Sequence, residues 1–202
     1  MAEQAIILSP GDALLVVDVQ RDFLPGGQLA VERGDAVVAP LNRYIEAFQS
    51  RGLPIYATRD WHPASHCSFR EQGGPWPPHC IADSDGAAFA PGLRLPTETV
   101  VISKATGPKS EAYSGFEGTD LAARLRSGGV SRVFVGGLAT DYCVLNTVRD
   151  ALREGFTTYL LEDAIQAVNV SPGDGTEAIE SMLTGGANPI RFQDLAAPAD
   201  PH

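Results

Sequence analysis

The sequence predicts an α/β fold, a three-layer α/β/α sandwich built on a mainly parallel central sheet. Short apolar runs alternate with segments of helical periodicity along most of the 202 residues. The apolar runs are continuous, which is typical of strands that helices cover on both faces. Glycines stand where the helices should end, at Gly52, Gly128, Gly155 and Gly185.

Five segments rich in Val, Ile, Leu and Thr are predicted strands. They are Ala13–Val19, Pro54–Thr58, Thr99–Ser103, Arg132–Gly136 and Thr157–Leu161. Four segments between or after them carry apolar residues at helical spacing and are predicted helices. They are Asp35–Ser50, Thr119–Arg126, Tyr142–Arg153 and Gly175–Leu183. Right-handed connections of this kind bring the carboxyl ends of the strands to one edge of the sheet.

Length and charge limit the classes of function. The length fits a single domain over residues 1–202, with homo-oligomerisation left open. The chain has 15 Lys and Arg against 25 Asp and Glu, a net charge of −10, which disfavours binding to nucleic acid or an anionic membrane. There is no apolar run of membrane-spanning length and no leader pattern at the start. Three cysteines make no disulfide framework, so we expect a cytoplasmic protein with reduced thiols.

The segment from Arg59 to Glu98 interrupts the alternation of strands and helices. It shows neither strand nor helix periodicity. A loop of this length in a compact domain is either disordered or functional. It carries both tryptophans and three of the four histidines, and its aromatic content disfavours disorder. We therefore expect an ordered, metal-binding loop insertion at about residues 59–98.

The histidines of this loop indicate the kind of metal. Asp60 and His62 are separated by one residue, so in extended chain their side chains point the same way. Together with His66 and His79 they offer nitrogen and oxygen donors, which suit one divalent transition metal ion such as Zn, Fe or Mn. A structural zinc site built on the two His-Cys pairs fits zinc-finger spacing poorly. Separate, hydrogen-bonded histidines are the other alternative.

Three side chains capable of chemistry lie near the carboxyl ends of predicted strands, where ligands bind in open α/β sheets. Asp18 ends an apolar run, Lys104 follows the third strand, and Cys143 follows the fourth across a short connection. In the first turn of a helix, Cys143 would have a favoured thiolate and N–H groups able to hold an oxyanion. Singly, each residue has an ordinary structural role. Together they predict a nucleophile, a carboxylate and a cation in one cluster.

The motifs around these residues resemble the isochorismatase-like cysteine hydrolases, and within them the nicotinamidase/pyrazinamidase family. The matching segments run in order over most of the chain: Val17–Phe23, Pro25–Gly27, Thr58–Pro63, Trp76–Cys80, Lys104, Tyr113–Phe116 and Gly137–Val144. The Asp-x-His and Trp-Pro-x-His elements narrow the resemblance to nicotinamidases. It implies the isochorismatase-like hydrolase fold, a parallel sheet flanked by helices.

The resemblance also implies a role for each candidate residue. The implied catalytic triad is Asp18, Lys104 and Cys143. The implied oxyanion hole consists of the backbone N–H groups of Ala139 and Cys143, beside a cis peptide between Leu138 and Ala139. The implied metal ligands are Asp60, His62 and His79, with His66 as a further or outer ligand. The residues that match positions around a pyridine ring are Phe23, Trp76 and Tyr113.

The reaction that the resemblance implies is metal-dependent hydrolysis of nicotinamide to nicotinate and ammonia, and of pyrazinamide to pyrazinoate, in NAD salvage. The alternative is a metal-free relative that uses the same triad on a carbamoyl or ureido substrate. The Asp60, His62 and His79 set argues against that relative, and Cys143 argues against a non-hydrolytic isochorismatase. A nucleotide-binding module needs a phosphate loop and a thiol-redox protein needs a Cys-x-x-Cys pair, and the sequence contains neither.

Overall fold

The computed structural model describes residues 5–196 and contains one parallel sheet of six strands. The strands are β1 (Asp12–Val17), β2 (Ile55–Asp60), β3 (Val100–Lys104), β4 (Arg132–Leu138), β5 (Thr157–Gln166) and β6 (Asn188–Ile190). Their order across the sheet is β3-β2-β1-β4-β5-β6, and all neighbours pair in parallel. The α-helices are α1 (Val38–Gln49), α2 (Leu121–Ser127), α3 (Leu145–Arg153) and α4 (Asp174–Thr184).

Helices cover both faces of the sheet, which confirms the predicted three-layer arrangement. All residues of β1 are buried, and their side chains alternate between two cores. Leu14 and Val16 belong to the core that contains the buried side of α1, whereas Leu15 and Val17 belong to the core beneath the other three helices. Residues of a strand alternate between its faces, so a central strand covered on both sides reads as a continuous apolar run.

The observed elements differ from the predicted ones mainly at their ends. Strand β5 continues to Gln166, beyond its predicted end at Leu161. The sequence does not predict β6. Strand β6 is only three residues long, lies at the edge of the sheet and contains Pro189; proline is tolerated at an edge but weakens a sequence-based strand signal. A π-helical turn, Thr140–Val144, precedes α3, where the sequence predicts α-helix from Tyr142.

The strand order creates a crevice between β1 and β4. From these two central strands the chain order runs outward in opposite directions, and in open α/β sheets ligands bind at the carboxyl edge of such a reversal point. Asp18 follows β1 directly, and the connection after β4 leads to Cys143. Lys104 ends β3, two strands away from β1.

The long segment between β2 and β3 folds back over this edge. Its regular structure is limited to one 3-10 turn at Arg70–Gln72 and single bridges such as His62 with Ile81. The Ala90 N–H donates to the Val19 carbonyl at 2.8 Å and so joins the segment to the chain after β1. The single domain over residues 1–202 stays a prediction, and its first four and last six residues lie outside the described residues. Within residues 5–196, no helix is long and apolar enough to cross a membrane.

Candidate active site

Lys104 is the centre of the site and brings the three predicted triad residues together. Its side chain is fully buried, and its Nζ lies 3.0 Å from Asp18 Oδ2 and 3.6 Å from Cys143 Sγ. The same Nζ donates to the Ala112 carbonyl at 3.0 Å. Three residues that are far apart in the chain therefore converge at the carboxyl edge of the sheet.

Asp18 presents a carboxylate with one oxygen engaged and the other open. The Thr58 hydroxyl donates to Oδ1 at 2.6 Å, whereas Oδ2 is buried and has no hydrogen-bond partner among the described residues, although it is paired electrostatically with Lys104. Burial raises the pKa of Asp18, and the opposing effect of Lys104 does not cancel it. A carboxylate oxygen of Asp18 and the Cys143 sulfur lie within 4.8 Å. Asp18 is thus placed to accept a proton from the thiol.

Cys143 lies in the π-helical turn and is buried. The connection from β4 contains the cis peptide between Leu138 and Ala139 that the resemblance implies. Burial raises the pKa of the Cys143 thiol well above its ordinary value, and Lys104 offsets only part of this rise because Asp18 opposes it. Burial therefore opposes the thiolate that the start of the helix is expected to favour.

The charges of Lys104 and Asp60 are maintained by each other. Burial would lower the pKa of Lys104, but Asp18 and Asp60 together raise it well above its ordinary value. Burial would raise the pKa of Asp60, but Lys104 and His62 together hold it below the usual range of a carboxyl group. The Nζ of Lys104 lies 2.5 Å from Asp60 Oδ1. This contact joins the triad to the predicted metal ligands.

Asp60, His62 and His79 form a buried cluster that fits a metal ion. One possible ligand atom from each lies within 4.8 Å of the others. The Nδ1 atoms of His62 and His79 face the carbonyls of Ala105, at 3.3 Å, and Pro77, at 2.8 Å. A carbonyl only accepts, so each Nδ1 carries the hydrogen and each Nε2 keeps its lone pair for a metal. Two imidazoles and a carboxylate suit a divalent transition metal.

His66 lies beside this cluster and offers it no free nitrogen. Its ring stacks on that of His62, with centroids 4.1 Å apart. Its Nδ1 accepts from the Ser68 N–H at 3.3 Å and lies 2.7 Å from the Ser68 hydroxyl, and its Nε2 donates to the Ser110 carbonyl at 3.1 Å. His66 therefore packs against His62 and lies outside the cluster of Asp60, His62 and His79.

An aromatic cavity leads to Cys143 and to the predicted metal ligands. Phe23, Trp76 and Tyr113 all line it, and the Trp76 indole donates to the Tyr113 hydroxyl at 3.0 Å. Sequence reasoning missed other lining residues: Leu29, Val31, Ser68, Glu111, Ala112, Tyr142 and Val168. Tyr142 could have been found because it precedes the cysteine. Val168 comes from the loop after β5, and no motif marks it.

Comparison with known proteins establishes the family of the chain. The isochorismatase domain model matches residues 12–194. The nicotinamidase of Escherichia coli is 39% identical over 206 aligned residues, which cover 92% of this chain and 97% of that protein. The chain belongs to the nicotinamidase/pyrazinamidase family of isochorismatase-like hydrolases. The resemblance inferred from the motifs is confirmed, and the protein is a hydrolase.

Solved structures of similar proteins support this family assignment. The pyrazinamidase of Pyrococcus horikoshii in complex with zinc is 52% identical with a TM-score of 0.87, and the match covers 91% of this chain and all of that one. PnC1 from L. infantum in complex with nicotinate is 37% identical with a TM-score of 0.88, and the match covers 96% and 99% of the two chains.

Proposed function

We propose that this protein is a metal-dependent cysteine amidohydrolase that converts nicotinamide to nicotinate and ammonia, and pyrazinamide to pyrazinoate, within NAD salvage. The observation that carries the proposal is the position of the Lys104 Nζ, 3.6 Å from the Cys143 sulfur and 2.5 Å from Asp60. A nucleophile and a set of metal ligands thereby share one small cavity. The three free cysteines fit a reducing, cytoplasmic location.

The cavity suits a flat heteroaromatic amide. The rings of Phe23, Trp76 and Tyr113 would enclose the pyridine ring, with the carboxamide directed to Cys143. Asp60, His62 and His79 would hold the metal, and zinc, the ion in the P. horikoshii pyrazinamidase complex, suits these donors. When bound, the metal supplies a Lewis-acidic position for the ring nitrogen of the substrate.

In the first half of the reaction the amide bond is broken. Asp18 accepts the proton of the Cys143 thiol, and the sulfur attacks the carboxamide carbon. We assign the oxyanion to the backbone N–H groups of Ala139 and Cys143. Protonated Asp18 then donates to the departing nitrogen, because ammonia is a far better leaving group than the amide ion. Lys104 keeps its positive charge throughout and stabilises the anionic groups beside it.

In the second half the thioester is hydrolysed. Asp18, again a carboxylate, accepts a proton from a water molecule that attacks the thioester carbon. Collapse of the second tetrahedral intermediate breaks the carbon–sulfur bond and releases nicotinate. The proton held by Asp18 returns to the Cys143 sulfur, which restores the thiol.

Replacement of the nucleophile tests this function. Cys143→Ala is expected to lower the rate of ammonia release from nicotinamide by at least about 10⁴-fold, since the covalent route is lost. The matched control is Cys67→Ala, which removes a partly buried thiol that does not line the cavity. Near-native turnover by folded Cys143→Ala would contradict the mechanism.

The metal requirement separates the proposal from its alternative. Metal analysis of the purified protein is expected to find about one divalent transition metal ion per chain. A chelator should abolish nicotinamide hydrolysis, and added zinc should restore it. A metal-free protein that hydrolyses a ureido or carbamoyl compound in preference to nicotinamide would instead establish the alternative.

A further inference from the structure

The short segment after β1 makes contacts that the mechanism does not use. The chain leaves the sheet at Asp18, whose φ of 47° turns it away from β2. Two residues later, the side chain of Gln20 is completely buried. Its Nε2 donates to the carbonyls of Asp60 at 2.8 Å and Ala87 at 2.9 Å, and its Oε1 accepts from the Asp60 N–H at 2.8 Å.

These bonds continue the sheet where its backbone pairing stops. Along β1 and β2, backbone groups pair up to the bond between the Asp18 N–H and the Thr58 carbonyl, at 3.2 Å. At Asp60 the amide of Gln20 takes over as both donor and acceptor, as a neighbouring strand would. An ionised carboxylate cannot do this because it lacks a donor. The amide therefore fixes the backbone of Asp60, a proposed metal ligand, relative to the chain that follows β1.

Asp22 makes a similar contact with the backbone beside His79, another of the proposed metal ligands. Its side chain is buried, and Oδ2 accepts from the Cys80 N–H at 2.7 Å. That N–H belongs to the peptide that joins Cys80 to His79. The neighbouring Gly86 is packed so closely that a Cβ there would lie 2.1 Å from Asp22 Oδ2. Asp22 thus holds the backbone beside His79, and the glycine at position 86 leaves space for its carboxylate.

We infer that Gln20 and Asp22 are positioning residues for the metal centre, acting through the backbones at Asp60 and His79. The inference rests on the proposed metal site and goes beyond its ligands. Residues that orient metal ligands typically contribute about 10- to 100-fold to metal affinity. Loss of either contact should therefore weaken metal binding, and not only stability.

The chain contains a matched control for this inference. Asn42 is another buried amide that bonds the backbone of the long segment as both donor and acceptor: its Nδ2 donates to the Gly92 carbonyl and its Oδ1 accepts from the Arg94 N–H, both at 2.8 Å. These contacts hold a part of the segment that carries no metal ligand. Replacing Asn42 should destabilise the fold by a comparable mechanism without disturbing Asp60 or His79.

The test measures zinc affinity of the metal-free protein by competition with a chromophoric chelator. Gln20→Met and Asp22→Ala are each expected to weaken zinc binding about 10-fold or more, whereas Asn42→Leu should change it by less than about twofold. Gln20→Glu, nearly the same shape without the donor, provides the measurement if Gln20→Met does not fold. Thermal unfolding is recorded for all variants, and we expect a lowered midpoint for Asn42→Leu as well.

Two results would overturn the inference. One is wild-type zinc affinity in the folded Gln20 and Asp22 variants. The other is a loss of affinity in Asn42→Leu that equals the loss in Gln20→Met, because the effect would then follow stability alone. Zinc affinity is read without substrate, so a failure to hydrolyse nicotinamide would count against the proposed function and not against this inference.

Discussion

Two buried aspartates at opposite ends of β1 show how one type of ion pair serves structure at one end and chemistry at the other. Asp12 begins the strand and faces Arg132, the first residue of β4. Arg132 donates to both carboxylate oxygens, at 2.5 and 2.6 Å, and the Ser9 N–H donates to one of them at 2.8 Å. Every oxygen of Asp12 is satisfied, so the pair ties two strands together and has no acceptor left to offer.

At the carboxyl end of the strand, the aspartate has different numbers of charged groups and hydrogen-bond donors around it. Asp18 shares Lys104 with Asp60, and its Oδ2 has no hydrogen-bond partner among the described residues. An under-satisfied buried carboxylate is costly to keep, and such groups concentrate at functional sites. Burial beside a cation is common to both aspartates. The open acceptor is what distinguishes Asp18 from Asp12.

Within this comparison, the largest expected effect comes from removing that acceptor. Asp18→Asn removes the proton acceptor at nearly constant shape and should lower kcat for nicotinamide by about 10³- to 10⁴-fold. Lys104 keeps its pairing with Asp60, so we expect the variant to remain folded. Steady-state kinetics together with thermal unfolding measures both. A variant that loses stability but keeps its rate would show that Asp18 serves structure and not chemistry.

A smaller effect, on stability alone, is expected from Asp12→Asn. The substitution removes the charge and half of the acceptor pair for Arg132 and should lower the free energy of unfolding by about 2 kcal/mol. Denaturant titration measures this loss. Assays well below the unfolding temperature should show an unchanged kcat/KM, and a large fall in kcat at constant stability would contradict the structural role.

The smallest expected effect comes from exchanging the cation at the structural end. Arg132→Lys keeps the charge but replaces a two-bond fork with a single donor group, which should cost about 1 kcal/mol. The shift in denaturation midpoint should lie between those of wild type and Asp12→Asn. A loss as large as that of Asp12→Asn would mean that the stability contributed by the pair depends on the fork geometry and not on the charge.

Much of the fold could be read from the order of residues. Continuous apolar runs predicted five of the six strands because residues in central strands contact core on both faces. The exception, β6, is too short and too close to the edge to produce such a run. The motifs around Asp60 and Cys143 pointed to the correct edge of the sheet because that edge receives the end of each parallel strand.

Other features depend on residues that meet only after folding. The Ser110 carbonyl, 44 residues from His66 in the chain, occupies the Nε2 of His66. The amide of Gln20 reaches Asp60, 40 residues away. The raised pKa of the Cys143 thiol comes first from burial, and the local sequence around Cys143 does not predict that burial.

Local patterning of apolar and polar side chains was therefore sufficient for the layers of the fold and for the candidates at its edge. The protonation states, the free nitrogens of the histidines and the open oxygen of Asp18 came from contacts between distant segments. The physical reason is that hydrophobic burial follows the period of each element along the chain. Charge and hydrogen-bond balance instead depend on the complete set of neighbours in space.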